Sequence, residues 1–399
     1  MKGKYIFLLF PLLISGCNNS SISDDSSLPS TLPSKNEEFT PLEGEVRKWF
    51  DHGLIGEDRF YNYCPSTFVE NGVKHIFYCS NKMFGNITDY IAYRKGEYIN
   101  KEMIYSPEDD IKFLLEPTKG TWDARHTCDP SVIKGEFKYD NVKYQYLMAY
   151  LGCVTSDNTR NETGLAVANS PEGPWIKCDK INPILKVADD NKLWGNGQSE
   201  IISVDKKGRV IICNSFSSPN LGGEQCWEYD LSDLNNPILI RGKDHMNTNG
   251  TANVDKEDGE KVNASITNIG LAYDEENKKI ILAKGRSPFA KDGQYPNFIA
   301  DQIDVFYLDD SGNENPFDEL FKSQSEARDW KFIGTINEKL TGFKRNHNTG
   351  LVRDPYGRLV EKDRIEVAFT RSDLSDSDWG YLSTYRIYST AFKLPYLSK

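Results

Sequence analysis

Cys128-Asp129-Pro130-Ser131-Val132-Ile133, then Tyr146-Leu147-Met148-Ala149-Tyr150, then Gly164-Leu165-Ala166-Val167-Ala168, are three apolar segments of strand length opened by a carboxylate and separated by polar stretches. The segments are apolar on both faces, as expected of sheets covered on each side. The pattern recurs along the chain. Similar paired segments run from Cys64-Pro65-Ser66-Thr67-Phe68 to Phe77-Tyr78-Cys79, and from Gln198-Ser199-Glu200-Ile201-Ile202 to Val210-Ile211-Ile212-Cys213. Two more run from Thr267-Asn268-Ile269-Gly270-Leu271 to Ile280-Ile281-Leu282-Ala283, and from His347-Asn348-Thr349-Gly350-Leu351 to Ile365-Glu366-Val367-Ala368-Phe369.

The five starts are spaced by roughly sixty-five to eighty residues, and the turns inside the pairs carry turn formers such as Asn71-Gly72 and Asp354-Pro355-Tyr356-Gly357. Behind each pair comes further strand-like sequence: Tyr90-Ile91-Ala92-Tyr93, Gly164 to Ala168, Cys226-Trp227-Glu228-Tyr229, Ile303 to Tyr307 and Tyr381 to Tyr385. Four antiparallel strands repeated five times predict an all-β, five-bladed β-propeller over residues 46–399. Helical periodicity is confined to a short stretch near Asn315 to Arg328. A pair of β-sandwiches is the alternative architecture, and it leaves the constant repeat length unexplained.

In a propeller the first strand of every blade begins near the central axis, so the five starts are expected to converge on one funnel. They supply Cys64, Asp129, the Gln198-Ser199-Glu200 group, Asn268 and the His347-Asn348 pair, with Asp123, Arg125, His126, Trp194, Arg286, Arg345 and Arg371 nearby. Several arginines at one rim would favour an acidic sugar.

The central stretch, continued by Asn169-Ser170-Pro171-Glu172-Gly173-Pro174-Trp175, resembles a blade of the family 43 type of glycoside hydrolases and their five-bladed relatives. The resemblance implies a carbohydrate substrate, hydrolysed by a general base that activates water and a general acid that protonates the leaving oxygen. On it, Asp129 is the expected base, fixed in extended backbone by Pro130. Glu200 is the expected acid, and His347 a substitute proton donor. Gln198, Asn268, Trp194, Asp123, His126 and the four arginines are the expected substrate contacts. The likeness also entertains a structural calcium at the axis beside His347, and no other cofactor. Two positions depart from the family: Cys64 stands where its first blade opens with aspartate, and Asn268 where a later blade carries the acid glutamate. A glycan-binding protein without hydrolysis is therefore the alternative function, and a structural scaffold with an apolar funnel a third.

Composition narrows the partners. A net charge of −11 without clustered Lys and Arg excludes nucleic acid as the expected ligand, and an aromatic content of 12% suits both stacked strands and the apolar faces of sugar rings. Apart from the lipobox cysteine discussed next, seven cysteines remain; Cys64 and Cys79, symmetric about Asn71-Gly72, are a candidate disulfide, with buried free thiols as the default for the others.

At the amino end, Lys2 and Lys4 precede an apolar run from Tyr5 to Ile14 that is too short to span a bilayer. Ile14-Ser15-Gly16-Cys17 resembles a bacterial lipobox, which implies removal of residues 1–16, lipidation of Cys17 and, in a Gram-negative cell, sorting to the outer membrane since Asn18 rather than Asp follows. Residues 18–45 are polar and expected to be a disordered tether, leaving the lipid as the sole membrane attachment. Cys17→Ser is expected to abolish incorporation of labelled palmitate and to move the protein from the membrane to the soluble fraction.

Overall fold

A computed structural model describes residues 40–50, 61–83, 85–99, 102–107, 111–187, 193–218, 221–251, 266–286 and 290–397. The lipobox and residues 18–39 of the expected tether lie outside these. Residues 40–45 are already part of the body: Thr40 is buried with its hydroxyl on Glu361, and Glu43 bridges Ala391. The folded part thus begins a few residues before the expected boundary.

Among the described residues the protein is all-β, with helices of no more than five residues. Three sheets have four strands each and a fourth has nine. In every group the first strand is innermost: Asn62–Glu70, His126–Tyr139, Asn196–Ser203, Ile269–Asp274 and Arg345–Arg353. Each of these touches the next, and the last pairs in parallel with the first at Val352↔Thr67 and Arg353↔Phe68, so the five close into a ring. That parallel pairing is what merges two groups into the nine-stranded sheet.

Local sequence explains the turns. Asn71 and Gly72 both adopt left-handed backbone, φ 52° and 78°, as a two-residue hairpin with right-handed strand twist requires. Packing explains why the strands are apolar on both faces. Phe68, Phe77, Tyr93, Val132 and Met148 fill the layer between the first and second groups, and Ile133, Leu147, Leu165, Ile201 and Ile212 that between the second and third. Ile202, Ile211, Leu271, Leu282 and Phe306 pack between the third and fourth, and Ala272, Ile281, Val305, Leu351 and Val367 between the fourth and last. Ile76, Tyr78, Val352, Ala368 and Ile387 complete the circuit. Each large side chain so buried contributes about 1.5–3 kcal/mol. Where inner strands meet, Gly350 lies against the carbonyl oxygen of Pro65, in space a β-carbon would fill.

The ring is also tied by one cation. Arg353, 1% exposed, donates from Nη1 to the Leu271 carbonyl (2.8 Å) and from Nη2 to Ser131 Oγ (3.2 Å), and it pairs with the Glu200 carboxylate. One side chain of the last inner strand thereby reaches the second, third and fourth. Arg353→Met is expected to destabilise the protein by about 3–5 kcal/mol in urea denaturation, since it strands a buried carboxylate. Adding Glu200→Gln is expected to recover most of the loss.

Candidate functional site

Every group opens on a residue in left-handed backbone: Cys64 (φ 51°), Asp129 (46°), Gln198 (50°), Asn268 (54°) and Asn348 (47°). At four of the five, the register with the second strand slips, between Tyr63 and Ser66, Cys128 and Ser131, Gly197 and Glu200, and His347 and Gly350. These are β-bulges, which re-aim a side chain out of the strand's alternation. Asp129 is therefore left-handed, not extended as its Pro130 neighbour led us to expect.

The bulges open on a cavity of about 720 Å³. Asp129, Gln198, His347 and Asn348 line it, with His126 at the start of its inner strand and Arg125 and Trp194 just before theirs. Tyr63, Cys128, Leu151 and Cys153 add strand residues, and the rest of the wall comes from loops between second and third strands: Ile87 and Asp89, Ser156 to Asn158 with Asn161, Phe298 and Ile299, and Asp378, Tyr381, Leu382 and Tyr385. Those residues were not expected from sequence. The usable signal was antiparallel order, because the third strand of a group starts at the same end as the first, so Asp89, immediately before the Tyr90–Ile99 strand, lies beside the inner-strand openings.

Asp129 is the one carboxyl among the five opening residues. Burial pushes it up to about 7, with the nearby Asp89 charge acting in the same direction and a hydrogen bond with the Cys64 thiol opposing them. Its ionisation is thus moved toward neutrality, which suits a donor better than the base expected of it. Asp89 accepts from Tyr61 Oη (2.7 Å), and its Oδ2 lies 2.6 Å from His126 Nδ1. An aromatic wall faces the two carboxyls: Tyr63 and Tyr385 meet edge to face at 5.4 Å, Tyr385 and Tyr381 at 5.7 Å, and Tyr381 and Phe298 at 5.8 Å.

His347 lines the cavity but is no proton donor. Burial pushes its imidazole down to about 4, so it is neutral. Asn348 Oδ1 accepts from Asn268 Nδ2 (3.0 Å) and lies 2.6 Å from His347 Nδ1. That nitrogen therefore carries the hydrogen, leaving Nε2 a bare acceptor without a partner among the described residues. Asn268 acts through this relay and does not itself line the cavity.

Other expectations are corrected. Glu200 points away from the cavity into the ring, held by Arg353; burial pushes it up to about 7 against the pull of that guanidinium. The bulge after Gly197 moves it off the face that Gln198 presents. Asp123 is buried under Lys177 (2.5 Å) and Tyr150, away from the cavity. Arg345 is wholly buried on Asp292 and the Pro296 and Gln294 carbonyls; Arg371 pairs with Asp373 over Phe343; Arg286 binds Gln302 and Asp301. Among the described residues Arg125 alone of the arginines lines the cavity, and its Nη2 donates to the Ile87 carbonyl. The arginine rim that would mark an acidic sugar is absent from these residues.

The expected Cys64–Cys79 bridge is also overturned. The bulge places Tyr63, not Cys64, opposite Cys79, and Cys64 turns its thiol to Asp129. Cys79 instead joins Cys128, and Cys213 joins Cys226, while Cys64, Cys153 and Cys178 are free and buried. Cys79, Cys128 and Asp129 bring ligand-type atoms within 4.8 Å of one another, but sulfurs joined to each other offer no thiolate to a metal.

The closed ring of antiparallel groups with a cavity at its inner-strand openings is the architecture of a β-propeller. At the level of sequence, no protein-family model and no curated protein matches the chain. Solved structures do match. A family 43 glycoside hydrolase, subfamily 1, of Xanthomonas citri in complex with xylose is similar over 87% of this chain and 89% of its own, with a TM-score of 0.51 and 12% identity. An α-L-arabinofuranosidase of Lactobacillus brevis is similar over 86% and 93%, with a TM-score of 0.50 and 8% identity. The chain has the fold of a divergent propeller of the family 43 type.

Replacing Asp129 by Asn provides a test of its environment. Between the usual carboxylate range and about pH 7 the folded protein keeps a proton that the unfolded chain releases, so this group's contribution to stability falls as pH rises through that window. The stability of the parent relative to Asp129→Asn is expected to grow by on the order of 4 kcal/mol from pH 7.5 to pH 4, measured by denaturation at each pH.

Proposed function

We propose that the protein is a glycoside hydrolase with five blades of four strands, acting on a neutral oligosaccharide or polysaccharide chain end at the cell envelope, to which the lipid on Cys17 tethers it. The observation that carries this reading is the meeting, in one cavity with an aromatic wall, of Asp129, raised to about 7, with a second carboxylate, Asp89. Glycosidic cleavage needs one protonated and one proton-accepting carboxyl at the same bond. Asp129 gives its proton to the leaving oxygen. Asp89 takes one from the attacking water. Tyr63, Tyr381 and Tyr385 offer faces to the sugar ring, and His347 Nε2 accepts from a hydroxyl. The nine-stranded sheet is read as two blades joined at the parallel contact, the first with a short fifth strand because Glu102–Tyr105 and Lys112–Leu115 both pair with Tyr90–Ile99, which brings the blade count to five. The xylose complex of the Xanthomonas citri enzyme supports a pentose or similar neutral sugar.

Binding without hydrolysis is a second reading, and a specific observation favours it: the other four opening positions carry Cys64, Gln198, Asn268 and Asn348, none of them a carboxyl. A panel of xylo-, arabino- and gluco-oligosaccharides, followed by reducing-end release and thermal shift together, separates the two. Hydrolysis is expected, with Asp129→Asn and Asp89→Asn each reducing release by about 10²–10⁴-fold while the thermal shift persists. A thermal shift with no release from the parent protein establishes the binder, and neither signal rejects both readings.

A further inference from the structure

We propose that the Cys79–Cys128 disulfide is a redox site opened from the cavity by a small dithiol, with Cys128 the sulfur attacked and Cys79 the sulfur released. The proposal is independent of the sugar reading, because it rests on the cavity floor alone. Both sulfurs are buried, but Cys128 lines the cavity and Cys79 lies behind it. An incoming thiolate therefore meets Cys128 Sγ first.

The surroundings are arranged for release of the other sulfur. The backbone N–H of Asp129 donates to Cys79 Sγ at 2.8 Å, a contact that strengthens as charge develops on a leaving thiolate. The Asp129 carboxyl oxygen lies 3.6 Å from the same sulfur and 3.1 Å from Cys128 Sγ, close enough to return a proton to whichever is released. Tyr63 Oη, 2.8 Å from Cys128 Sγ, is a second hydroxyl partner on the attacked side. By contrast, the sulfurs of Cys213 and Cys226 lie in the apolar layer between the third and fourth groups and do not line the cavity.

The reaction balances as thiol–disulfide exchange. One thiolate of the dithiol bonds to Cys128 Sγ, the Cys79–Cys128 bond breaks, and its electron pair leaves on Cys79, which takes up a proton. The second thiolate of the dithiol then attacks the dithiol's own sulfur in that mixed disulfide. Cys128 leaves as a thiolate and is protonated; the reagent departs as a cyclic disulfide, having given two electrons to the protein. Once open, both sulfurs carry hydrogens that can point at the Asp129 carboxyl, so the state of this bond sets the polarity around the one ionisable opening residue apart from Cys64.

The full-length protein, kept folded as judged by circular dichroism, is treated with limiting dithiothreitol, alkylated at intervals and mapped by mass spectrometry. Cys79 and Cys128 are expected to become labelled at least tenfold faster than Cys213 and Cys226. Glutathione, which lacks the second thiol, is expected to leave its adduct on Cys128. Equal opening of the two disulfides, faster opening of Cys213–Cys226, an adduct on Cys79, or labelling that appears only as the fold is lost would each overturn the proposal.

Discussion

The Arg353 guanidinium is the constraint on which the rest of the geometry depends. A cation taken out of water costs several kcal/mol unless its donors are met. Here they are met by a carboxylate, a hydroxyl and a carbonyl from three other inner strands. Apolar layers between sheets are tolerant of small slides, since any similar overlap buries similar area. A planar fork of N–H donors is not, and it holds the inner strands at one height. That height decides which residues of each strand emerge at the cavity. The same contact removes Glu200 from any chemistry there, so one interaction both builds the site and limits its membership.

The left-handed openings show how the site is then aimed. A non-glycine residue in this region costs about 1–2 kcal/mol, less for Asn and Asp, and bulged strands lose a ladder bond as well. Repetition of that cost at Cys64, Asp129, Gln198, Asn268 and Asn348 marks it as a device of the architecture. Each bulge turns one side chain inward where regular alternation would have pointed it at a neighbouring sheet. What differs from group to group is only the chemistry placed there, and in this chain it is mostly amide.

The paired strands were legible because strand length, turn residues and spacing all agree, and the starts read from them contain the left-handed Cys64, Asp129, Gln198, Asn268 and Asn348. Which residue of each opening faces the cavity was not legible. A one-residue bulge inverts inward and outward, so Gln198 and not Glu200 emerges, and Cys79 finds Cys128 rather than Cys64. Asp129 was found because a carboxyl beside Pro130 is conspicuous, yet its protonation depended on burial that no pattern discloses. The arginines failed for a related reason: sequence proximity to an opening says nothing of which carboxylate or carbonyl lies within reach, and Arg345 had Asp292. Asp89, Tyr381 and Tyr385 sit in the connections between second and third strands, without periodicity, where only the direction of the following strand carries information.

The parallel contact between Asn62–Glu70 and Arg345–Arg353, with Arg47 and Lys48 paired to Ser389 and Tyr388, joins the two extremities of the body in one sheet. A growing chain cannot complete that sheet until its final strands have been synthesised. The earlier groups can assemble in order, each against its predecessor, while the first keeps one greasy flank uncovered throughout. Assembly therefore finishes with a long-range docking step, slow by its nature, and the exposed flank of the first group is where a chaperone would have most to hold.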